Sequence, residues 1–236
     1  MKKILIYTIS IILFLSAIAG IIAMNQKQEA KTKKSTNLVA LGDSLTYGVG
    51  DDMGSGYVDD LQTLLSDHHD GAVTVQNYGI PNQQTDGLLY QLQHTDVKDN
   101  LDDADYFIVF IGTNDVIKSN GNNLLPIYEE RLKAGKADYE KNVIDIMTII
   151  REENPDAPIL FLGLYNPYPS SAKIEQVIEE WNVTSQELVS HYPRVKFIST
   201  NELFQEKSTE YFSDSLHPNK KGYKLITKKI VEEYDF

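Results

Sequence analysis

The sequence has 236 residues, a formal net charge of −12, no cysteine and a hydrophobic content of 42%. That hydrophobic content is typical of a globular protein and excludes a largely disordered chain. The absence of cysteine excludes a disulfide framework, a cysteine nucleophile, thiolate zinc sites and a lipid-modified cysteine.

The charge is distributed unevenly along the chain. Residues 1–36 contain six lysines and one glutamate, a net charge of +5, so residues 37–236 carry −17. A domain this acidic repels the phosphates of nucleic acids, and no basic stripe offsets the repulsion. We therefore expect no nucleic-acid partner.

An apolar segment near the N-terminus is long enough to span a membrane. Two lysines at positions 2 and 3 precede 21 uncharged, mostly apolar residues from Ile4 to Met24. As a helix, such a segment spans a hydrocarbon core of about 30 Å. We predict an apolar helix in residues 1–26, as a transmembrane anchor or a signal segment, followed by a polar basic linker over 27–36. Cleavage near Ala17–Ala19 would leave an apolar terminus, which favours an uncleaved anchor.

The orientation of this segment is left open by its flanking charges, because lysines lie on both sides of it. The segment as a whole resembles a secretory signal, which favours a domain outside the cell. We expect that domain to be held at the cell membrane by the N-terminal helix or to be secreted. A surface protein without cysteine fits a Gram-positive bacterium.

From residue 37 onward, short apolar runs alternate with longer helical patterns. The runs predict strands over residues 37–41, 73–77, 106–111, 158–164 and 195–199. The longer patterns predict helices near residues 56–67, 84–93, 138–153, 171–190 and 218–233. Strands that are apolar throughout and alternate with helices form parallel sheets covered on both faces. We predict one three-layer α/β/α sandwich over residues 37–236.

Polar segments follow the first four predicted strands. They read GDSLTYG from residue 42, NYGIPNQQT from 77, GTNDV from 112 and GLYNPYPSS from 163. In open parallel sheets, ligands bind beyond the carboxyl ends of the strands. These four segments are therefore the candidate binding loops.

Ser44 in the first segment fits two roles, a nucleophile or the cap of a helix that follows the strand. A serine nucleophile needs a base, and a carboxylate that orients the base. His217 has Asp214 three residues before it, although a solvated turn would explain the same spacing.

His94 and His191 have no evident carboxylate partner and are expected at the surface. His68 and His69 lie in a polar turn that is expected to be solvated, with metal binding as the lesser alternative.

An oxyanion formed on the substrate needs hydrogen-bond donors. Gly79 can present its backbone N–H at close range because it has no side chain, and Asn114 can donate from its amide. Both residues are also common in turns, so each is ambiguous when taken alone.

The segments GDSL, NYG, GTND and DSLH follow one another in that order over residues 38 to about 230. This chain resembles the SGNH, or GDSL, hydrolase superfamily, whose four signature blocks centre on Ser, Gly, Asn and His. The resemblance implies a flavodoxin-like fold with a five-stranded parallel sheet and no metal or organic cofactor.

The resemblance also implies roles for individual residues. Ser44 would be the nucleophile, His217 the base and then the acid, and Asp214 the residue that orients His217. The Ser44 N–H, the Gly79 N–H and the Asn114 side chain would form the oxyanion hole. Two further aspartates are expected to hold their own turns by accepting backbone hydrogen bonds; they are Asp43 and Asp115.

The substrate is expected to meet two further segments. Residues 117–137 form an insertion that is either a lid or a docked helix, and Tyr165, Pro167 and Tyr168 would add aromatic surface beside the site. The family resemblance implies hydrolysis of a carboxylic ester or thioester. A small-molecule or lipid ester, as for a GDSL-type lipase, acylhydrolase or lysophospholipase, is one hypothesis. An O-acetyl esterase of surface polysaccharide and a non-catalytic surface binding module are the others.

Overall fold

Five parallel strands form one sheet, as the sequence predicts. The computed structural model describes residues 35–52, 56–68, 72–204 and 209–236, and within them the strand order is β2-β1-β3-β4-β5. The strands are β1 (Thr36–Gly42), β2 (Val73–Gly79), β3 (Tyr106–Phe110), β4 (Ile159–Leu162) and β5 (Val195–Ile198). This is the flavodoxin-like strand order. β2 lies on one side of β1 and the later strands lie on the other, so the order of strand addition reverses between β1 and β3.

Helices connect the strands and cover both faces of the sheet. In the described part of the chain they are α1 (Ser44–Tyr47), α2 (Gly56–His68), α3 (Thr85–Leu92), α4 (Thr95–Lys98), α5 (Thr113–Ser119), α6 (Glu129–Glu153), α7 (Ala172–Ser190) and α8 (Lys220–Glu233). A 3₁₀ turn over Asn201–Phe204 follows β5. The predicted three-layer α/β/α sandwich is therefore confirmed.

Alternate residues of each strand face opposite layers of helices. On one face, Val39 and Leu41 of β1 belong to the apolar core that includes α3, α6 and α7. On the other face, Leu38 and Ala40 pack in the core that includes α2 and α8. All four side chains are fully buried. Burial on both faces explains why the three inner strands β1, β3 and β4 are largely apolar, whereas the edge strands β2 and β5 are only partly buried.

The register of the sheet aligns the ends of the three strands that carry the first three motifs. Gly42 of β1 lies opposite Gly79 of β2 and also opposite Phe110 of β3. The chain segments that follow these residues therefore leave the sheet at the same level. They lie at the carboxyl ends of β1, β2 and β3, and the strand order reverses between β1 and β3.

Helix α6 begins at Glu129, nine residues before the predicted start at 138. The added turns contain few apolar residues, so the helical stripe is weak there, but Leu132 is buried against the core. Residues 117–119 of the expected insertion belong to helix α5. Leu124 and Ile127 in the remaining connection also pack against that core, which favours docked structure over a lid.

The predicted N-terminal apolar helix and nearly all of the linker precede residue 35 and so lie outside the described residues. In the ranges that are described, no helix is both long enough and apolar enough to cross a membrane.

Candidate active site

Ser44 is the first residue of α1, directly after β1. Asp43 caps this short helix, and its Oδ1 accepts a hydrogen bond of 2.9 Å from the Leu45 N–H. Gly48 ends the helix at φ 96°, a conformation that strongly favours glycine. Ser44 therefore begins a helix, and Asp43 holds the turn as the sequence predicts.

The structure brings Ser44, His217 and Asp214 into one chain of contacts. The Ser44 Oγ lies 3.0 Å from the His217 Nε2, and the His217 Nδ1 lies 2.7 Å from the Asp214 Oδ2. A carboxylate can only accept, so in the neutral imidazole Nδ1 carries the proton and Nε2 accepts from the serine hydroxyl.

Asp214 also organises the backbone of its own loop. Its Oδ1 accepts hydrogen bonds of 2.7 Å from the N–H groups of Leu216 and His217. Partial burial favours the neutral carboxyl, but these bonds and the contact with the His217 ring outweigh it. The pKa of Asp214 therefore lies below its ordinary value of 3.8.

Gly79 lies against the turn that carries Ser44. A Cβ at this position would lie 2.2 Å from the Tyr47 backbone nitrogen, so only glycine fits without a shift. Its N–H donates to the Asn77 Oδ1 at 2.9 Å, and the Asn77 amide donates to the Thr46 carbonyl at 2.8 Å. Asn77 was not among the predicted site residues, although its position two residues before Gly79 is typical of an Asx turn.

Asn114 is buried beside Asp43. Its amide donates to the Asp43 Oδ2 at 3.3 Å and to the Gln83 carbonyl at 3.0 Å. Both predicted non-serine donors of the oxyanion hole thus have internal acceptors in this structure. An oxyanion would have to share or replace those bonds.

Asp115 bonds to a second segment in addition to its own turn. Its carboxylate accepts from the Thr85 N–H at 3.1 and 3.2 Å and from the Thr85 hydroxyl at 2.5 Å. Thr85 begins α3, 30 residues away, so Asp115 joins two loops at the carboxyl edge of the sheet. The backbone N–H of Asp115 also bonds to this carboxylate, so Asp115 contacts its own turn as well as Thr85.

Burial raises the pKa of two carboxyl groups beside the candidate site. The pKa of Asp43 rises from 3.8 to about 7, and that of Asp115 from 3.8 to about 6. The Asp43 pKa is also raised by the nearby charge of Asp115. Asp43 therefore resists ionisation below about pH 7, and Asp115 below about pH 6.

The prediction that Tyr165 adds aromatic surface after β4 is wrong. This side chain is 3% exposed, and its hydroxyl donates to the Leu216 carbonyl at 2.6 Å. Pro167 is also buried, and Tyr168 packs against the core. Exposure at a strand end depends on which loop covers it, and here the His217 loop covers Tyr165.

The other histidines lie away from this arrangement where the structure describes them. His94 and His191 are exposed, as predicted, and His69 lies outside the described residues. Within the described ranges, no cluster of three or more His, Asp or Glu side chains is arranged to bind a metal ion.

The chain is similar to known proteins in sequence and in fold. A model of the GDSL-like lipase/acylhydrolase family matches residues 40–225. The chain belongs to that family. It is 34% identical over 235 residues to the uncharacterized protein YpmR of Bacillus subtilis strain 168, covering 94% of this chain and 92% of that protein.

Two solved structures are also similar to this fold. The lipase Lip_vut3 from a goat rumen metagenome matches with a TM-score of 0.76 and 25% identity, covering 84% of this chain and 97% of that lipase. The lipase/acylhydrolase from Enterococcus faecalis matches with a TM-score of 0.62 and 20% identity, covering 84% and 94% of the two chains.

Asp43→Asn is expected to remove a pH dependence of stability. Asp43 has a pKa of about 7 when folded and about 3.8 when unfolded, so between these pH values the folded protein keeps a proton that the unfolded chain has lost. The wild-type free energy of unfolding therefore falls as the pH rises through this window. The variant is expected to gain stability relative to the wild type by as much as about 4 kcal/mol from pH 4 to pH 7.

Urea denaturation at several pH values measures this difference. Asp102→Asn serves as the control, because Asp102 is exposed, and its difference from the wild type is expected to stay constant. A constant difference for Asp43→Asn as well would contradict the prediction.

Proposed function

We propose that this chain hydrolyses carboxylic esters or thioesters through an acyl-enzyme formed on Ser44. The observation that carries the proposal is the pair of contacts that join Ser44 Oγ to His217 Nε2 at 3.0 Å and His217 Nδ1 to Asp214 Oδ2 at 2.7 Å. A nucleophile, a base and a group that orients the base are the requirements of serine catalysis.

The first half of the reaction forms the acyl-enzyme. The Ser44 Oγ attacks the ester carbonyl carbon while its proton passes to the His217 Nε2, and Asp214 stabilises the resulting imidazolium. When the tetrahedral intermediate collapses, the same proton passes to the departing alkoxide or thiolate. Water then attacks the acyl group with His217 as base, and the proton returns to Ser44 as the acid product leaves.

The oxyanion of the tetrahedral intermediate is proposed to bind three donors. They are the N–H of Ser44, the N–H of Gly79 and the amide of Asn114. The Ser44 N–H belongs to the first turn of α1, where backbone donors have no partner within the helix. The other two donors would exchange their bonds to Asn77 and Gln83 for bonds to the oxyanion.

We propose an acyl group longer than acetate as the substrate class, as in a lipase, acylhydrolase or lysophospholipase. Two apolar side chains are exposed beside Gly79, since Ile80 follows it and Tyr47 packs its backbone against it. The exposed fractions are 53% for Tyr47 and 44% for Ile80. Such apolar surface beside the nucleophile turn suits an acyl chain.

The cellular location is proposed from the sequence alone. The apolar segment Ile4 to Met24 favours a domain outside the cell, attached to the membrane or secreted. Attachment would hold the site close to lipid esters.

Ser44→Ala is expected to abolish covalent labelling by a fluorophosphonate probe. The probe phosphonylates an activated serine oxygen, and alanine has none. Labelling is read by in-gel fluorescence and by the mass of the intact protein. Ser190→Ala is the matched control because Ser190 is exposed on α7, and it is expected to label like the wild type. Labelling that survives in Ser44→Ala would overturn the proposal.

His217→Ala and Asp214→Asn are expected to lower kcat with the fold intact. Without His217 no base is positioned, and we expect a loss of at least about 10³-fold. In Asp214→Asn an amide N–H faces the His217 Nδ1 and favours the wrong tautomer, for a loss of about 10²- to 10⁴-fold. Kinetics with a p-nitrophenyl ester and circular dichroism check both results. Near-wild-type rates would remove these residues from their roles.

Activity on p-nitrophenyl esters is expected to rise with acyl length beyond acetate. A butyrate or octanoate chain is long enough to contact the apolar surface of Tyr47 and Ile80, whereas an acetyl group is too short to reach much of it. Measuring kcat/KM across this series, beside acetate release from an O-acetylated polysaccharide, separates the candidates. Highest activity on acetate together with polysaccharide deacetylation would instead indicate an O-acetyl esterase.

A further inference from the structure

Hydrogen bonds within the loop that carries His217 set its local shape, and the loop packs against Gly50. The Ser213 N–H donates to the His217 carbonyl at 3.0 Å, and Asp214 accepts from the backbone of Leu216 and His217. These bonds fix the shape of the loop. They do not fix the distance between the His217 ring and Ser44, which lies on another element 173 residues away in the sequence.

Tyr165 supplies a contact from the sheet to this loop. It lies just after β4, and its hydroxyl donates at 2.6 Å to the carbonyl of Leu216, between the two loop members of the candidate triad. Its ring is held by Phe204 and Phe212, with centroid distances of 4.8 and 6.0 Å. A buried, packed ring has little freedom to move, so its hydroxyl occupies a fixed point beneath the loop.

We propose that Tyr165 is a positioning residue that holds the His217 ring at hydrogen-bond distance from Ser44. This inference rests on the proposed function and deepens it. Tyr165 touches neither the substrate nor the reacting atoms; it acts through the backbone of Leu216. Shifts of about 1 Å in catalytic groups can lower rates about 10²-fold, so a fixed loop has a direct effect on kcat.

The hydroxyl of Tyr165 stays protonated over the working pH range. Burial raises its pKa well above the ordinary value of 10, and the nearby Tyr223, Asp43 and Asp214 raise it further. The group is therefore a permanent donor to the Leu216 carbonyl. Without it, that carbonyl would lose a short hydrogen bond from the buried side of the loop.

Tyr165→Phe removes the one hydroxyl and keeps the ring between its aromatic neighbours. We expect kcat to fall about tenfold while KM changes by less than about twofold, because a displaced base slows the chemical step without altering substrate contacts. Tyr139→Phe is the matched control. Tyr139 is also fully buried and its hydroxyl bonds to Ser185 at 2.7 Å, but it lies in α6 on the other face of the sheet.

A proton NMR measurement follows the loop independently of activity. The His217 Nδ1 proton bonded to Asp214 is expected to resonate downfield of the amide region in the wild type and in Tyr139→Phe. In Tyr165→Phe it is expected to shift or broaden. Should Tyr165→Phe fail to fold, Phe204→Leu, which loosens the same ring, is expected to lower kcat in the same way.

The outcomes separate this inference from the proposed function. A wild type that neither labels at Ser44 nor hydrolyses esters contradicts the function, and the NMR comparison then still tests the positioning of His217. If the wild type is active and Tyr165→Phe retains its kcat and its downfield resonance, the positioning role is overturned. Equal losses of kcat in Tyr165→Phe and Tyr139→Phe would also overturn it, because they would reflect general destabilisation.

Discussion

The register of the three central strands is the constraint on which the candidate site depends. Because Gly42 lies opposite both Gly79 and Phe110, the segments after β1, β2 and β3 leave the sheet at one level. The nucleophile turn can then touch Gly79 directly, and Asn114 reaches Asp43 across the reversal in strand order. A slip of one residue would turn every side chain of a strand to the other face and separate these groups.

His217, the proposed base, lies at this edge of the sheet for a reason other than strand pairing. His217 belongs to no strand, and its loop is shaped by Asp214 and joined to the sheet by Tyr165. The site therefore combines groups whose level is set by strand pairing with one group that is positioned by side-chain bonds and by packing of its loop against Gly50.

The sequence predicts the parts that depend on local pattern. The inner strands β1, β3 and β4 are largely apolar runs, and Asp214 and His217 are close enough in the chain for their contact to be anticipated. The early start of α6 is less visible because Leu132 is its one buried residue before Tyr139. The bond from Asp115 to Thr85 and the burial of Tyr165 could not be anticipated, because each depends on a loop far away in the sequence.

Stability and site geometry make opposite demands on Asp43. The ionised carboxylate accepts from the Leu45 N–H with one oxygen and from the Asn114 amide with the other, which orients both the nucleophile turn and a proposed oxyanion donor. Burial disfavours that same ionised form and raises the pKa of Asp43 to about 7. As the pH rises towards 7, the fold loses stability, and over the same range both oxygens of the Asp43 carboxylate become fully available as acceptors. No neutral side chain of the same size accepts at two oxygens, so an asparagine here could accept from only one of the two donors.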